Sequence, residues 1–502
     1  MADVESWELG GPFANRLDAS PYVGAGPWSQ RLEAETSRRA GLVLPTEAMH
    51  CVARELGLFR LQFGAQPPEN LTRFIIGRCS ASVVRVEHGF FEAAVPERAS
   101  DEEVFRKWES PVVEMIRRQL VGGARVVGIW FGRSGEQAVV IVASALRDVH
   151  LEPFSNVLPE DGRVAIRGEA LAPAARIDAV IGRGRYGYAE CEANAAVSLP
   201  RFEFTCPADP DDASAWIDLT LQGPGRVVGS VGATLLVWPS GKPNAHYRRP
   251  SYVDEVQAYD AATARAGIAE LLNGVRRSAG LEPLELAAEQ SVLATELAPH
   301  FFNSYIGAGD PMLADLIIMG LVAGWSIDGV IQSGNFAAAW VAGTHDVGRL
   351  LSTTLERPSS RRTLLAPDVE RIAIGAVLEV RDDVPRMAAI FGSYALFSAE
   401  AHDANARRVY ELLEERRGQR GRRAPEILGE VTPLAMAAAG QVQAGRDPTD
   451  VLGDLVQRGA EVLKRPVRGW MAEARELSAI EFPEEYLSER ELAVAVGVSY
   501  RK

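Results

Sequence analysis

Three stretches of this chain follow one local plan, and no other feature limits its architecture as much. In each, a helix carrying basic residues runs through a loop into a strand punctuated by glycine. WESPVVEMIRRQL (108–120) leads to ARVVGIWF (124–131), TTLERPSSRRTLLAPDVE (353–370) to RIAIGAVLEV (371–380), and RGWMAEARELSAI (468–480) to ELAVAVGVSY (491–500). Copies this far apart do not stack like the short adjacent units of a solenoid. They point to duplicated domains, three unrelated helix–strand junctions being the alternative. At 502 residues the chain exceeds one core and divides into about three or four domains.

Composition narrows the class. Hydrophobic residues make up 47% and charged residues 24%, an average globular balance that excludes wholesale disorder. Acidic residues outnumber basic ones 67 to 53, for a net charge of −14, and no Lys/Arg block stands clear of carboxylates. Nucleic acid is therefore not an expected partner. The longest apolar stretches, 138–146 and 312–325, are too short for a membrane span or are broken by Asp and Gly. The opening MADVESW lacks the basic flank and apolar segment of an export signal, which fits a cytoplasmic protein or a mature form with an added methionine. The four cysteines fall into local pairs, Cys51 with Cys79 and Cys191 with Cys206. This grouping favours two disulfides and an oxidising compartment, with buried free thiols as the alternative and zinc disfavoured for want of close ligand spacing.

Read in order, residues 1–30 form an extended arm rich in Gly, Pro, Ser and Asn, suited to wrapping a neighbour. Region 31–148 reads as an α/β domain and a divergent copy of the repeated plan. It has helices over 45–63 (capped by Thr46), 68–78 and 101–120, then a hairpin of 124–131 with 137–145. Region 149–247 holds short β-rich runs between Gly, Pro and Asp turns, as in a β-sandwich of about seven strands. Helices return over 253–400, at 256–279, 285–302 and 350–365, before strands at 372–380 and 388–397. Region 401–502 is helical to 478 and ends in a strand, a partial copy. The fold class is thus multidomain α+β.

The copy at 253–397 resembles a known family. LLNGVRRSAGLEPL (271–284), RPSSRRTLLAP (357–367), the following strand with Gly375, and IFG (390–392) are similar, in that order, to motifs of bacterial SCP-like members of the CAP superfamily, the cysteine-rich secretory proteins. The resemblance implies an α-β-α sandwich. It also implies a cleft where two histidines and two acids can hold a divalent metal. Imidazole and carboxylate suit that task because they supply neutral nitrogen and anionic oxygen donors. Here the matching positions are Asn303 and Ser360 for the histidines, with Arg361 beside the second, and Gly329 with its neighbour Asp328 for an acid. The cleft reads as degenerate, with no metal, cofactor or catalytic residue assigned.

His300 and His345 are the nearest imidazoles that could rebuild a site. His300 reads as a helix-end residue beside Phe301 and Phe302, and His345 as part of a turn in GTHD (343–346). Ser240 and Ser393 lack the strand-turn-helix elbow of a hydrolase nucleophile, and GRGRYG (182–187) sits among strands and reads as a β-turn rather than a phosphate cradle. The Arg/Glu-rich stretch 406–423 reads as a solvated face with internal ion pairs. The expected function is a non-catalytic exported binding or assembly protein, extracellular, on the cell surface or periplasmic. Its expected partner is a protein, a cell-envelope ligand or a second copy, with Trp216, Tyr247 and Trp340 as candidate anchors. Two alternatives stand beside it. One is a hydrolase or peptidase using His300, Asp328 and His345, and the other a lipid or sterol carrier with an apolar cavity between helices.

Overall fold

The computed structural model describes residues 4–17, 22, 26–38, 42–158, 161–226, 228–305, 310–327, 331–381, 383–396, 399–473 and 477–499. The chain forms two compact units. One comprises Met1–Ser326 with Gly334–Tyr394, the other Ile327–Ser333 with Ala395–Lys502. The architecture is multidomain α+β.

The first unit begins with two short strands, β1 (Ser6–Glu8) and β2 (Arg16–Leu17), followed by an eight-element module. Its elements are α1 (Pro27–Ser37), β3 (Val43–Pro45), α2 (Glu47–Phe63), α3 (Glu69–Arg78), β4 (Glu87–Ala94), α4 (Asp101–Gln119), β5 (Arg125–Ser134) and β6 (Gln137–Leu146). Local chemistry sets the helix ends. The Thr46 side chain accepts from Met49 N–H at the start of α2, whose end is Gly64 at φ +62°, and Ser100 with Glu103 forms a capping box on α4. The sheet runs β3-β5-β6-β4, with β3 parallel to β5 and the other pairs antiparallel. Along β6, Val139, Ile141 and Ala143 pack under α2 and α3, while Ala138, Val140 and Val142 pack under α1 and α4. Alternation of side chains therefore gives three layers and explains the unbroken apolar run of this strand. Strand β4 (EHGFFEAA) is mostly exposed or half-buried, so no apolar run announces it.

Nine strands follow: β7 (Val149–Leu151), β8 (Phe154–Ser155), β9 (Arg163–Ala170), β10 (Arg176–Arg183), β11 (Gly187–Glu190), β12 (Glu192–Ala193), β13 (Arg201–Pro207), β14 (Ala215–Gln222) and β15 (Ser230–Val237). Eight of them make two four-stranded antiparallel sheets, β11-β10-β14-β15 and β12-β13-β9-β7, around one apolar cluster. Strand β9 alternates exposed and buried at every residue, as a half-solvated sandwich strand must. Strand β16 (His246–Arg248) pairs with β1, Trp7 opposite Tyr247, and β2 pairs with β8. Residues 4–17 are thus used inside this chain instead of wrapping a neighbour, because Val4, Leu9 and Leu17 are buried in its cores.

A second module comprises α5 (Ala261–Ser278), β17 (Glu285–Leu286), α6 (Ala288–Tyr305), α7 (Pro311–Ala323), β18 (Ile331–Ala342), α8 (Val347–Leu355), α9 (Pro358–Leu364), β19 (Arg371–Arg381) and β20 (Val384–Leu396). Its sheet order β17-β19-β20-β18, with β17 parallel to β19, repeats that of the first module. Helices α5, α8 and α9 share a core with Ala389 and Phe391 of β20, and α6 and α7 with the intervening Ile390 on the opposite face.

The second unit contains α10 (Ala399–Gly418), β21 (Glu426–Ile427), α11 (Thr432–Gln443), α12 (Pro448–Leu463), a 3-10 turn at Leu477–Ala479, α13 (Glu484–Ser488) and β22 (Ala493–Val494), with β21 parallel to β22. The helical section expected to reach 478 is three helices and ends at Leu463, with Pro466 just beyond. This unit reproduces the opening of a module atom for atom along the ladder. Glu285 N–H donates to Glu370 O and Ala287 N–H to Ile372 O; Glu426 N–H donates to Leu492 O and Leu428 N–H to Val494 O. A Cβ added at Gly128, Gly375 or Gly497 would strike the backbone of Met49, Ala294 or Ala435 respectively. In all three places a helix lies directly on the segment that carries the glycine, which is β5 at Gly128, β19 at Gly375 and the stretch just after β22 at Gly497, and only glycine lets it approach.

Candidate functional site

Of the positions that the family motifs point to, the described ones lie on elements that cover opposite faces of the second module's sheet. Asn303 is exposed in the last turn of α6. Asp328 and Gly329 lie outside the described residues. Ser360 and Arg361 are buried, each 5% exposed, in α9, and α9 is seated on the sandwich. The Arg361 guanidinium donates to Leu355 O, to Gly184 O and Gly187 O of the β10–β11 turn, and to Tyr252 Oη, at 2.6, 3.1, 2.9 and 2.9 Å. The GRGRYG turn thus supplies carbonyls to an arginine, and its Gly184 N–H donates to Asp212 Oδ2 at 2.8 Å. Two residues earlier, Ser359 donates through N–H and Oγ to Asp218 Oδ2 on β14, at 3.2 and 2.7 Å, while Thr234 donates to Asp218 Oδ1. Asp218 caps the start of α9 from another domain.

The two histidines lie apart in the topology. His300 is exposed on α6, which covers one face of the sheet. His345 sits in the turn before α8, which covers the other, with Nε2 3.2 Å from Glu379 O. Among the described residues no group of three or more His, Cys, Asp or Glu side chains is placed to hold a metal ion. Ser393 is fully buried and donates to Thr363 O. Both local disulfides, Cys51–Cys79 and Cys191–Cys206, are formed, and no described helix is long and apolar enough to cross a membrane.

The polar chemistry that the chain does concentrate lies where α3, the sandwich and α8–α9 meet. Arg73 of α3 stacks 4.3 Å over the ring of Trp216, pairs with the Glu356 carboxylate at 3.5 Å and donates to Glu356 O at 3.0 Å. Arg357 donates to Glu69 at 2.9 Å and Thr353 to Asn70 at 3.1 Å. Burial pushes the Glu356 and Glu69 carboxyls up, against the pull of Arg73 and Arg357. Beside this cluster lies a cavity of about 280 Å³ whose wall includes Trp216, Trp238, Tyr247, Tyr252, Asp212 and Arg361. Trp238 Nε1 and Tyr247 Oη are buried there without a hydrogen-bond partner among the described residues. Two of the expected anchors, Trp216 and Tyr247, therefore serve this junction, while Trp340 is half-buried on β18.

Asn70, Arg73, Glu356 and Asp218 had no place among the sequence candidates. The one local signal is the polar positions Asn70 and Arg73 in α3 (ENLTRFIIGR), which read equally well as a solvated face. The Arg/Glu-rich stretch 406–423 is, as expected, mostly a solvated face with an internal ion pair, Arg408 with Glu411, and one residue is the exception. Arg417 is fully buried, its guanidinium donating to Arg423 O, Tyr486 O and Glu489 O, because backbone carbonyls of the loop leading to β22 converge on it.

No family model matches the chain and no curated protein is similar to it. Among solved structures it is similar to the crystal structure of a cysteine-rich secretory protein from Staphylococcus aureus subsp. aureus Mu50. That match has 12% identity over 48% of this chain and 84% of that one, at a TM-score of 0.19. The likeness is too slight to carry any part of the fold or function.

Proposed function

We propose that this protein is a non-catalytic binding or assembly protein of an oxidising compartment, built from degenerate CAP-like modules and a β-sandwich that present surfaces to a protein or cell-envelope partner. The observation that carries the reading is the burial of Ser360 and Arg361. Where the family motifs place a cleft histidine, this chain has a helix committed to a domain joint, its arginine filled by three carbonyls and a phenol. A guanidinium so saturated has little left to offer a substrate. The two closed disulfides support the compartment.

Calorimetric titration of the full chain with Zn²⁺, Ca²⁺ and Mg²⁺, together with peptidase and esterase assays, tests this. The expected result is neither saturable metal binding nor turnover. Saturable binding, or hydrolysis lost in His300→Ala or His345→Ala, overturns the reading. Thiol labelling of protein taken from its own cells should find all four cysteines blocked; free thiols would remove the compartment.

A further inference from the structure

Four aromatic rings, Trp216, Trp238, Tyr247 and Tyr252, line the cavity of about 280 Å³ beside the joint, and every residue of its wall belongs to the first unit. The backbone holds two of these rings in place. Trp238 follows β15 with its N–H donating to Asn156 O and its carbonyl accepting from Leu158 N–H, and Tyr247 lies opposite Trp7 in the β1–β16 ladder. Exposed Ser214, Asn244 and His246 line the solvent side.

Three buried polar atoms of this wall are unused. Trp238 Nε1 and Tyr247 Oη have no hydrogen-bond partner among the described residues, and neither has Glu356 Oε2, which faces Arg73 Nη1 at 3.5 Å. Trp238 and Tyr247 are at most 2% exposed. Folded chains rarely leave such groups unpaired, and a polar space of this size holds a ligand or ordered water. An indole only donates and a carboxylate only accepts, while burial pushes the Tyr247 phenol up, so that it keeps its proton. What fills the cavity therefore carries both donors and acceptors.

Charge selects a neutral occupant. Arg73 already stacks at 4.3 Å over Trp216 and Arg78 at 5.1 Å over Trp238, so a ligand cation meets rings whose attraction is shared. Glu356 and Asp212 repel an anion, and the Arg361 guanidinium that would attract one is spent on three carbonyls and a phenol. A pyranose meets the remaining demands, with hydroxyls that donate and accept around its edge and a C–H face that suits aromatic rings. We propose that this cavity binds one neutral pyranose, its hydroxyls engaging Trp238 Nε1, Tyr247 Oη and Glu356 Oε2; this rests on the binding reading above and names its ligand class. The sugar is either free or the end of an envelope glycan.

Saturation-transfer NMR and calorimetric titration of the full chain with D-glucose, N-acetyl-D-glucosamine and chitotetraose should show saturable binding of at least one. Tighter binding of the tetraose supports a glycan end as the source, and binding no tighter than that of the monosaccharides supports a free sugar. Tyr247→Phe removes one oxygen that no described group holds. It should weaken binding at least about tenfold with an unfolding midpoint no lower than that of the wild type. Trp238→Phe should weaken binding to a similar degree, whereas Tyr259→Phe, 86% exposed, should leave it unchanged. A chain that binds none of the three sugars has a cavity filled by water only and overturns the proposal, while the binding reading stands. Binding of choline in place of the sugars overturns it too, and sugar binding indifferent to both Tyr247→Phe and Trp238→Phe overturns the site. Cleavage of the tetraose supports the site and removes the non-catalytic reading.

Discussion

Arg276 and Arg417 are the same residue twice. Each is fully buried near the end of its helix and donates Nε to the carbonyl six residues on, at 2.6 Å to Glu282 O and 2.9 Å to Arg423 O. Each then spreads its other nitrogens over carbonyls of the segment that leads back to the central strand. One planar fork thereby fixes the turn after the helix, the short edge strand and the approach to β19 or β22.

Replacing Arg276 by Met removes the fork and strands Glu282, Leu364, Ala366 and Val369 carbonyls in a dry interior. Denaturant unfolding should show a loss of about 3 kcal/mol or more. Arg276→Lys should recover little of it, since an ammonium cannot reach four acceptors in a plane. Full rescue by lysine would mean that charge, not geometry, holds the turn.

Adding one methyl at the helix–strand crossing should be felt in both units. Gly375→Ala drives a Cβ into the Ala294 backbone and Gly497→Ala into that of Ala435. Each substitution is expected to destabilise its own unit by about 1–3 kcal/mol, seen as lost amide-exchange protection confined to the mutated unit. Protection unchanged in either case would show that the helix can lift away.

The joint between α3 and α8 should behave as a coupled pair. Arg73→Met removes the cation paired with the buried Glu356, leaving only the weaker pull of Arg357 and Arg361, and should cost about 3 kcal/mol. In Arg73→Met/Glu356→Gln the loss should fall short of the two single losses combined by about 2 kcal/mol. Strict additivity in thermal or urea unfolding would mean that the 3.5 Å contact does not bind the modules together.

His50 gives the first module a pH dependence. Burial holds its imidazole down to about 4, partly offset by the hydrogen bond of Nδ1 with Ile129 O at 2.6 Å. The neutral ring is favoured in the folded chain, so its contribution is complete above about pH 6.5 and is lost as pH falls towards about 4. The span corresponds to about 3 kcal/mol. Unfolding midpoints of the wild type should fall over that window, and the difference from His50→Gln should shrink in step. A difference independent of pH would refute the assignment.

Much of the fold is legible in the sequence because short-range chemistry fixes it. Thr46 and Gly64 bound α2, and the β9 run RVAIRGEA alternates at period two. Strand β4 escapes because it is mostly exposed or half-buried, and β17 and β21 because two residues carry no period. The junction is less legible still. Arg73 and Arg361 look like any helix-surface arginine until Trp216, Glu356 and the Gly184 and Gly187 carbonyls arrive from elements 143 to 283 residues away.

What the sequence by itself determined is the helix caps, the alternation of strands such as β9 and the local grouping of the cysteines, since each depends on residue type and local spacing. Tertiary structure alone decided that α9 is a joint and that β1 and β2 pair with strands of their own chain. Those outcomes depend on which surfaces meet, and burial at a meeting of domains is a property of neighbours that no local pattern encodes.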